Sequence, residues 1–196
     1  MGLLTLEHGK LAYRADFALY ALAVPTLAAV LLWAAPRSHW LSASLWVLAG
    51  LSGWTLIEYA LHRFVLHGVQ PFRAWHEAHH ERPMALICAP TLFSAALILV
   101  LVFLPLWAIG DLLRACAITL GVVAGYLAYA VTHHAAHHWR AGNNGWLGER
   151  KRWHALHHHA RGAGCYGVTS GLWDHAFGSA RQATRVARPE HVSRPS

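Results

Sequence analysis

Four runs of apolar residues punctuate the chain, at positions 17–35, 41–61, 84–109 and 112–132. Each is long enough to cross a hydrocarbon core of about 30 Å, which takes about 20 helical residues. Backbone groups find no water in lipid, so each run is predicted to be a helix. Pro25 lies inside the first run, where a kink is expected, and Pro90 and Pro105 lie near the two ends of the third. Gly50, Gly53, Gly121 and Gly125 put small residues on the second and fourth runs, where helix backbones can approach closely. Two polar, histidine-rich segments follow the second and fourth runs, at 62–83 and 133–180. Within the latter, helix is expected over 133–140 and 149–159, with a turn over 141–145. The tail from Arg181 is polar and Arg-rich, and is expected to be poorly ordered.

Composition supports an integral membrane protein. The 196 residues are 56% hydrophobic and only 13% charged, against about 45–50% and about 25% for a soluble globule. The length suits one domain, taken as 1–196. The formal charge of +7 is explained by topology rather than by nucleic-acid binding. Lys10 and Arg14 precede the first run, Arg63, Arg73 and Arg82 lie between the second and third, and nine of the sixteen Lys and Arg follow the fourth. Only Arg37 and Arg114 fall on the other side. The positive-inside rule then places both termini and both histidine-rich segments in the cytoplasm. Trp139, Trp146 and Trp153 suit the headgroup level, and Arg150, Lys151 and Arg152 suit the anionic inner leaflet. No cleavable signal peptide is evident. The three cysteines show no CxxC spacing, and Cys88 and Cys116 read as inert thiols in apolar runs.

Fourteen of the seventeen histidines fall in four clusters and one trailing site, His175. The clusters are His62 and His67; His76, His79 and His80; His133, His134, His137 and His138; and His154, His157, His158 and His159. Residues three and four apart share a helix face, so His76, His79 and His80 converge, as do His154, His157 and His158. His133 pairs with His137 and His134 with His138, and spacing does not choose which pair faces a metal. His62 and His67, five apart, diverge by about 140° on a regular helix. They share a site only if the helix end unwinds or they embrace it from two angles. His159 points away from His154 by the same argument. One histidine at a membrane interface is usually a polar anchor. Ten packed together without a metal would leave donors and acceptors competing. Ten exceed the demand of one ion and supply about five for each of two. Structural zinc usually closes with four ligands, often including cysteine. Two redox irons in a nitrogen-rich shell fit better.

The ordered motifs resemble those of the membrane fatty acid hydroxylase/sterol desaturase superfamily, non-haem di-iron oxygenases, and within it the fatty acid 2-hydroxylase branch. The resemblance runs from about Trp54 to Ala180. It is carried by the stretch from Glu58 to His67, by His76-Glu-Ala-His79-His80-Glu-Arg-Pro83, by Gly125-Tyr126 and Tyr129 leading into His133 to His138, by Trp153-His154-Ala-Leu-His157-His158, and by the stretch from Tyr166 to Gly178. It implies an all-α integral membrane fold: four transmembrane helices with a cytoplasmic histidine-rich helical cap holding a dinuclear metal site. It also implies the ligand set His62, His67, His76, His79, His80, His133, His137, His154, His157 and His158. His134, which stands where the fatty acid hydroxylases are expected to carry tyrosine, and His138 are further candidates. Ala130 stands where an acidic residue is expected.

Three further residues are candidates near such a site. Glu58, one turn before His62, can orient its imidazole, bind metal, or serve only as a cap; it reads as the one carboxylate deep in a span. Asp174 can fix a ligand tautomer or simply form a turn. Tyr126, with Tyr129, lines the approach to the metals or packs as plain aromatic filling. The expected chemistry uses two iron ions, dioxygen and an external electron donor, since no haem electron-carrier domain is fused, to insert oxygen into a C–H bond of a lipid. Acyl-chain hydroxylation leads; desaturation shares its first hydrogen abstraction, and sterol or carotenoid rings are rival substrates. Zinc is a plausible substitute in purified protein. A non-catalytic metal carrier would need ionisable groups along a path through the bilayer.

Overall fold

The computed structural model describes residues 9–87, 91–160 and 163–180. Cys88, Pro90 and the tail from Arg181 lie outside them. Among the described residues, four helices are long and apolar enough to cross a membrane. The first is α1, Lys10–Ala34. The second is α2, Trp40–Ala60, prolonged by a π-helical turn over Leu61–Leu66. The third joins α4, Thr91–Ile98, through a π turn over Leu99–Phe103 to α5, Leu104–Ile109. The fourth is α6, Leu112–His138. The polar elements are α3, Phe72–Glu81, α7, Gly145–His159, and the short α8, Leu172–Ala176.

Each span differs from its apolar run for a physical reason. Helix α1 continues through Pro25 and begins at Lys10, because the polar turn before the run extends it. Asp16 is thereby taken into the helix and is 3% exposed, as is Glu58 on α2. Glu58 is therefore not the one buried carboxylate of the spans. The third span starts at Thr91, not 84, since 82–87 form a turn. Its π turn precedes Pro105; the widened i→i+5 bonding, Leu104 N–H to Leu99 C=O, accommodates a residue that lacks an N–H and crowds the carbonyl four back. Helix α6 runs straight through the first histidines of the second polar segment.

The chain divides into two compact units, 1–58 with 82–131, and 59–81 with 132–196. In the first, Leu31 of α1, Ala43 of α2, and Ala117 and Leu120 of α6 form an apolar core, against which Cys116 packs half-buried. Helix α6 is central: half of its most apolar window is buried against 11% for α1. Gly50 and Gly121 make the α2–α6 crossing, since a Cβ on Gly50 would overlap the Ile118 carbonyl and one on Gly121 the Val47 carbonyl. Gly125 lies flat under the Trp54 indole, whereas a Cβ on Gly53 would meet nothing. Close approach thus uses three of the four glycines. Gly121→Val is expected to destabilise the protein by about 2 kcal/mol, the scale of an overpacked core. Thermal unfolding in detergent checks this, and an unchanged midpoint contradicts the crossing.

The second unit holds the end of α2 with α3, the end of α6, α7 and α8. Asn144 caps α7, its side-chain oxygen accepting from the Leu147 N–H at 3.0 Å. Three of the expected membrane-surface residues pack inward instead. Lys151 donates from Nζ to the Ala136 carbonyl at 2.6 Å and the Ala135 carbonyl at 3.3 Å, capping the open end of α6. Arg150 is buried, paired with Glu149 at 2.6 Å and lying over the Trp153 ring. Trp153 itself packs on Ala160, Cys165 and Gly171 and against the His175 ring. Of the three tryptophans, Trp139 and Trp146 remain exposed.

Candidate metal centre

The ten imidazoles of the expected ligand set all lie in the second unit. They arrive from four places: the end of α2, α3, the end of α6, and α7. At the first, the backbone widens. The His67 N–H donates to the His62 carbonyl at 3.2 Å, an i→i+5 bond. The π turn brings residues five apart onto one side, so the two rings lie 5.2 Å apart and stack within 24°. This unwinding is one of the two arrangements that the spacing left open.

Two groups result. In the first, the ring nitrogens of His62, His67, His76, His80 and His157 lie within 4.8 Å of one another. The Nε2 atoms stand 2.9 Å apart for His62 and His76, and 3.1 Å for His76–His80, His80–His157 and His67–His157. The second group gathers His79, His137, His154 and His158. His133 joins it, with Nε2 3.2 Å from that of His79; His137–His154 and His154–His158 are 2.8 and 3.1 Å. His80 and His158 stack face to face with centroids 4.1 Å apart, so the groups adjoin.

These contacts do not close as hydrogen bonds. His62 Nδ1 lies 2.5 Å from the Tyr166 carbonyl and His157 Nδ1 2.7 Å from the Gly164 carbonyl. A carbonyl only accepts, so both Nδ1 atoms carry the proton and both Nε2 atoms present lone pairs. His76 must then donate to His62, and His80 to His157. That sets N–H against N–H across the 3.1 Å His76–His80 contact. A cation at the centre removes the conflict. Nitrogens about 2.1 Å from one ion and at right angles to each other sit about 3 Å apart, the spacing found. The donor set, nitrogen only and five per group, suits a first-row transition metal.

Burial tunes the rings for this. It holds His67, His80 and His158 down to about 4 and His79 to about 2, and keeps His76, His154 and His157 well below the usual imidazole range, neighbouring imidazoles adding to it in most of them. Neutral rings are the ligating form. The sign for stability follows. The unfolded chain binds protons near 6.5; the folded unit resists them to about 4. Between these values the unfolded state holds more protons, so stability falls as pH falls. The metal-free protein is expected to keep a constant unfolding midpoint above about pH 7 and to lose it progressively from about pH 6.5 towards 4. A midpoint flat to pH 4 contradicts this.

The other candidates fall elsewhere. His134 and His138 stack on each other, 4.5 Å apart, outside both groups. His159 bonds the Ala155 carbonyl at the surface. Glu58 is buried on α2 and belongs to neither group; both nitrogens of His62 are engaged by Tyr166 and His76. Tyr126 packs against Tyr20 and Trp54 in the first unit. Asp174 is fully buried, and its hydrogen bonds go to main-chain N–H groups and a serine rather than to an imidazole. Its Oδ1 accepts from the Tyr166 N–H at 2.8 Å and the Ser179 hydroxyl at 2.6 Å, and its Oδ2 from the Gly167 N–H at 2.7 Å. It acts one bond further out, holding the loop whose carbonyls hold His62 and His157.

That loop is what sequence reasoning missed. Gly164 and Cys165 take positive φ of 103° and 55°, a turn that leaves the Gly164 and Tyr166 carbonyls facing the imidazoles and needs glycine at 164. The Tyr166 ring covers His62, His67 and His157 at 5.6–5.7 Å. Tyr59 completes the support, its hydroxyl 3.1 Å from that of Ser179 and accepting from Arg63 at 2.5 Å. Backbone carbonyls leave no side-chain signature; the Gly164–Cys165 pair after a histidine run was the available signal.

A model of the fatty acid hydroxylase family matches residues 47–179. The chain is 36% identical over 148 residues to a dihydroceramide fatty acyl 2-hydroxylase of Arabidopsis thaliana, covering 68% of this chain and 59% of that protein. It is 31% identical over 151 residues to a ceramide very long chain fatty acid hydroxylase of Schizosaccharomyces pombe, covering 67% and 41%. The structure of full-length scs7p, of which only the hydroxylase domain is visible, is similar with a TM-score of 0.74 at 26% identity, covering 86% of this chain and 66% of that one. The chain thus spans about two fifths to two thirds of the length of these relatives.

Proposed function

Because the chain belongs to the fatty acid hydroxylase family, we propose that it is a membrane-bound, dioxygen-dependent di-iron enzyme that hydroxylates a fatty acyl chain of a lipid. The observation that carries this is the pair of adjoining five-imidazole groups, whose Nε2 contacts cannot close without a cation. His62, His67, His76, His80 and His157 hold one ion, and His79, His133, His137, His154 and His158 the other. When bound, the irons supply the redox chemistry that activates dioxygen. The protein does the rest. His62 and His157 donate from Nδ1 to fixed carbonyls, which aims Nε2 inward and sets the tautomer. Asp174 anchors that loop as a positioning residue. The apolar helices hold the acyl chain and exclude water. The excess of Lys and Arg beside the polar segments favours a cytoplasmic site, where an electron donor reaches it. Overall, a C–H bond, dioxygen, two electrons and two protons become an alcohol and water.

The acyl substrate is the reading the relatives favour, since their names give acyl or fatty acid hydroxylation. Mass spectrometry of lipids from cells expressing the protein tests it. An acyl chain heavier by one oxygen, absent with the His76→Ala variant, is expected. A loss of two hydrogens means desaturation, and an oxidised sterol or carotenoid moves the substrate; no oxidised lipid of any class contradicts the enzyme reading.

A further inference from the structure

We propose that a polar cleft on the histidine-rich unit is the port through which hydrated divalent metal ions enter and leave the two imidazole groups. The inference rests on reading those groups as metal sites. The cleft encloses about 720 Å³; its lining includes His67, His80 and His158, the carboxylates Glu77 and Glu81 with the cation Arg73 among them, and Ala163. His67 and His80 belong to the first group and His158 to the second, so this one opening reaches both. The stacked His80 and His158 rings form the partition between them.

A hydrated dication is excluded by the apolar surface of the spans and needs polar partners as it sheds water. The cleft offers them in order. Glu77 and Glu81 stand one turn apart on α3, and Glu81 is exposed. Glu77 is half-exposed and paired with Arg73 at 2.7 Å, a solvent-screened contact of small net value that an incoming cation displaces without large cost. Behind the carboxylates lie half-buried imidazoles, and behind those the fully enclosed His157. Ligand type thus passes from carboxylate to neutral imidazole along the route, from the oxygen donors of weak transit to the nitrogens that retain a transition metal. Neither glutamate belongs to the ligand set, so both can be altered with that set intact.

The test follows cobalt uptake by the metal-free protein from its visible absorption. Ala163→Cys, coupled to a bulky polyethylene glycol maleimide, plugs the cleft; wild type treated alike controls for Cys88, Cys116 and Cys165. Plugging is expected to slow uptake at least about tenfold and to slow cobalt loss to a chelator equally, without changing the number of ions finally bound. Glu77→Gln with Glu81→Gln is expected to slow uptake about tenfold at low ionic strength, an effect that salt removes. Uptake as fast in the plugged protein as in the control overturns the port, as does an uptake rate indifferent to both glutamates. Unmodified protein that takes up no cobalt overturns the metal reading beneath it.

Discussion

Replacing His157 with alanine is expected to abolish activity and to empty the first group of its ion. His157 is fully buried, and its Nε2 stands 3.1 Å from those of both His67 and His80. Its Nδ1 is fixed by the Gly164 carbonyl, and its ring packs on His62 and Tyr166. Alanine deletes a ligand, opens a cavity where four elements meet, and orphans a buried carbonyl. Losing a group that only orients a ligand costs about 10–100-fold in metal affinity or activity, so losing the ligand itself should exceed about 100-fold. Oxygen uptake coupled to donor oxidation, with metal analysis on the same sample, measures both. His159→Ala, two residues along the same helix and on the surface, should leave both unchanged. Coupled uptake retained in His157→Ala contradicts the ligand assignment.

Asp174→Ala is the second large effect, and it acts without touching a metal ligand. The substitution strands the N–H groups of Tyr166 and Gly167 in a fully buried place and leaves the Ser179 hydroxyl only its contact with Tyr59. Each unsatisfied donor costs about 1–3 kcal/mol, so a loss of about 3–5 kcal/mol of stability is expected. The loop then releases its carbonyls from His62 and His157, and metal affinity should fall by about 10–100-fold. Asp174→Asn keeps the shape but turns an amide donor towards another donor, and should lie between wild type and alanine. Ser179→Ala, which leaves Oδ1 its bond to Tyr166, should lie nearer wild type. A variant at Asp174 that loses stability but binds metal as wild type does would mean that the aspartate braces the fold only.

The spans were readable because lipid imposes one rule on every residue in them: twenty apolar positions and no water. The same rule says nothing about where a polar end stops, so Lys10 to Asp16 joined α1 and His133 to His138 prolonged α6. The grouping of His76 with His79 and His80, and of His154 with His157 and His158, was legible because three- and four-residue spacing is a local property. The choice of His133 and His137 over His134 and His138 was not, because it depends on what the helix faces. His62 and His67 met only because the backbone between them changes its hydrogen-bond period, which the residues from 62 to 67 do not announce. Arg150 and Lys151 read as surface charge, yet one is buried by Glu149 and Trp153 and the other is spent on open carbonyls of α6. Asp174 was visible as a candidate to fix a ligand tautomer, but its partners are main-chain atoms eight and seven residues away.

Anaerobic titration of the metal-free protein with ferrous iron, followed by removal of loose metal and an iron count per chain, tests the central claim most directly. Two ions per chain are expected, with dioxygen uptake appearing only once the second is bound. Retention of a single ion at saturation, or of none, would contradict a paired centre built from ten imidazoles.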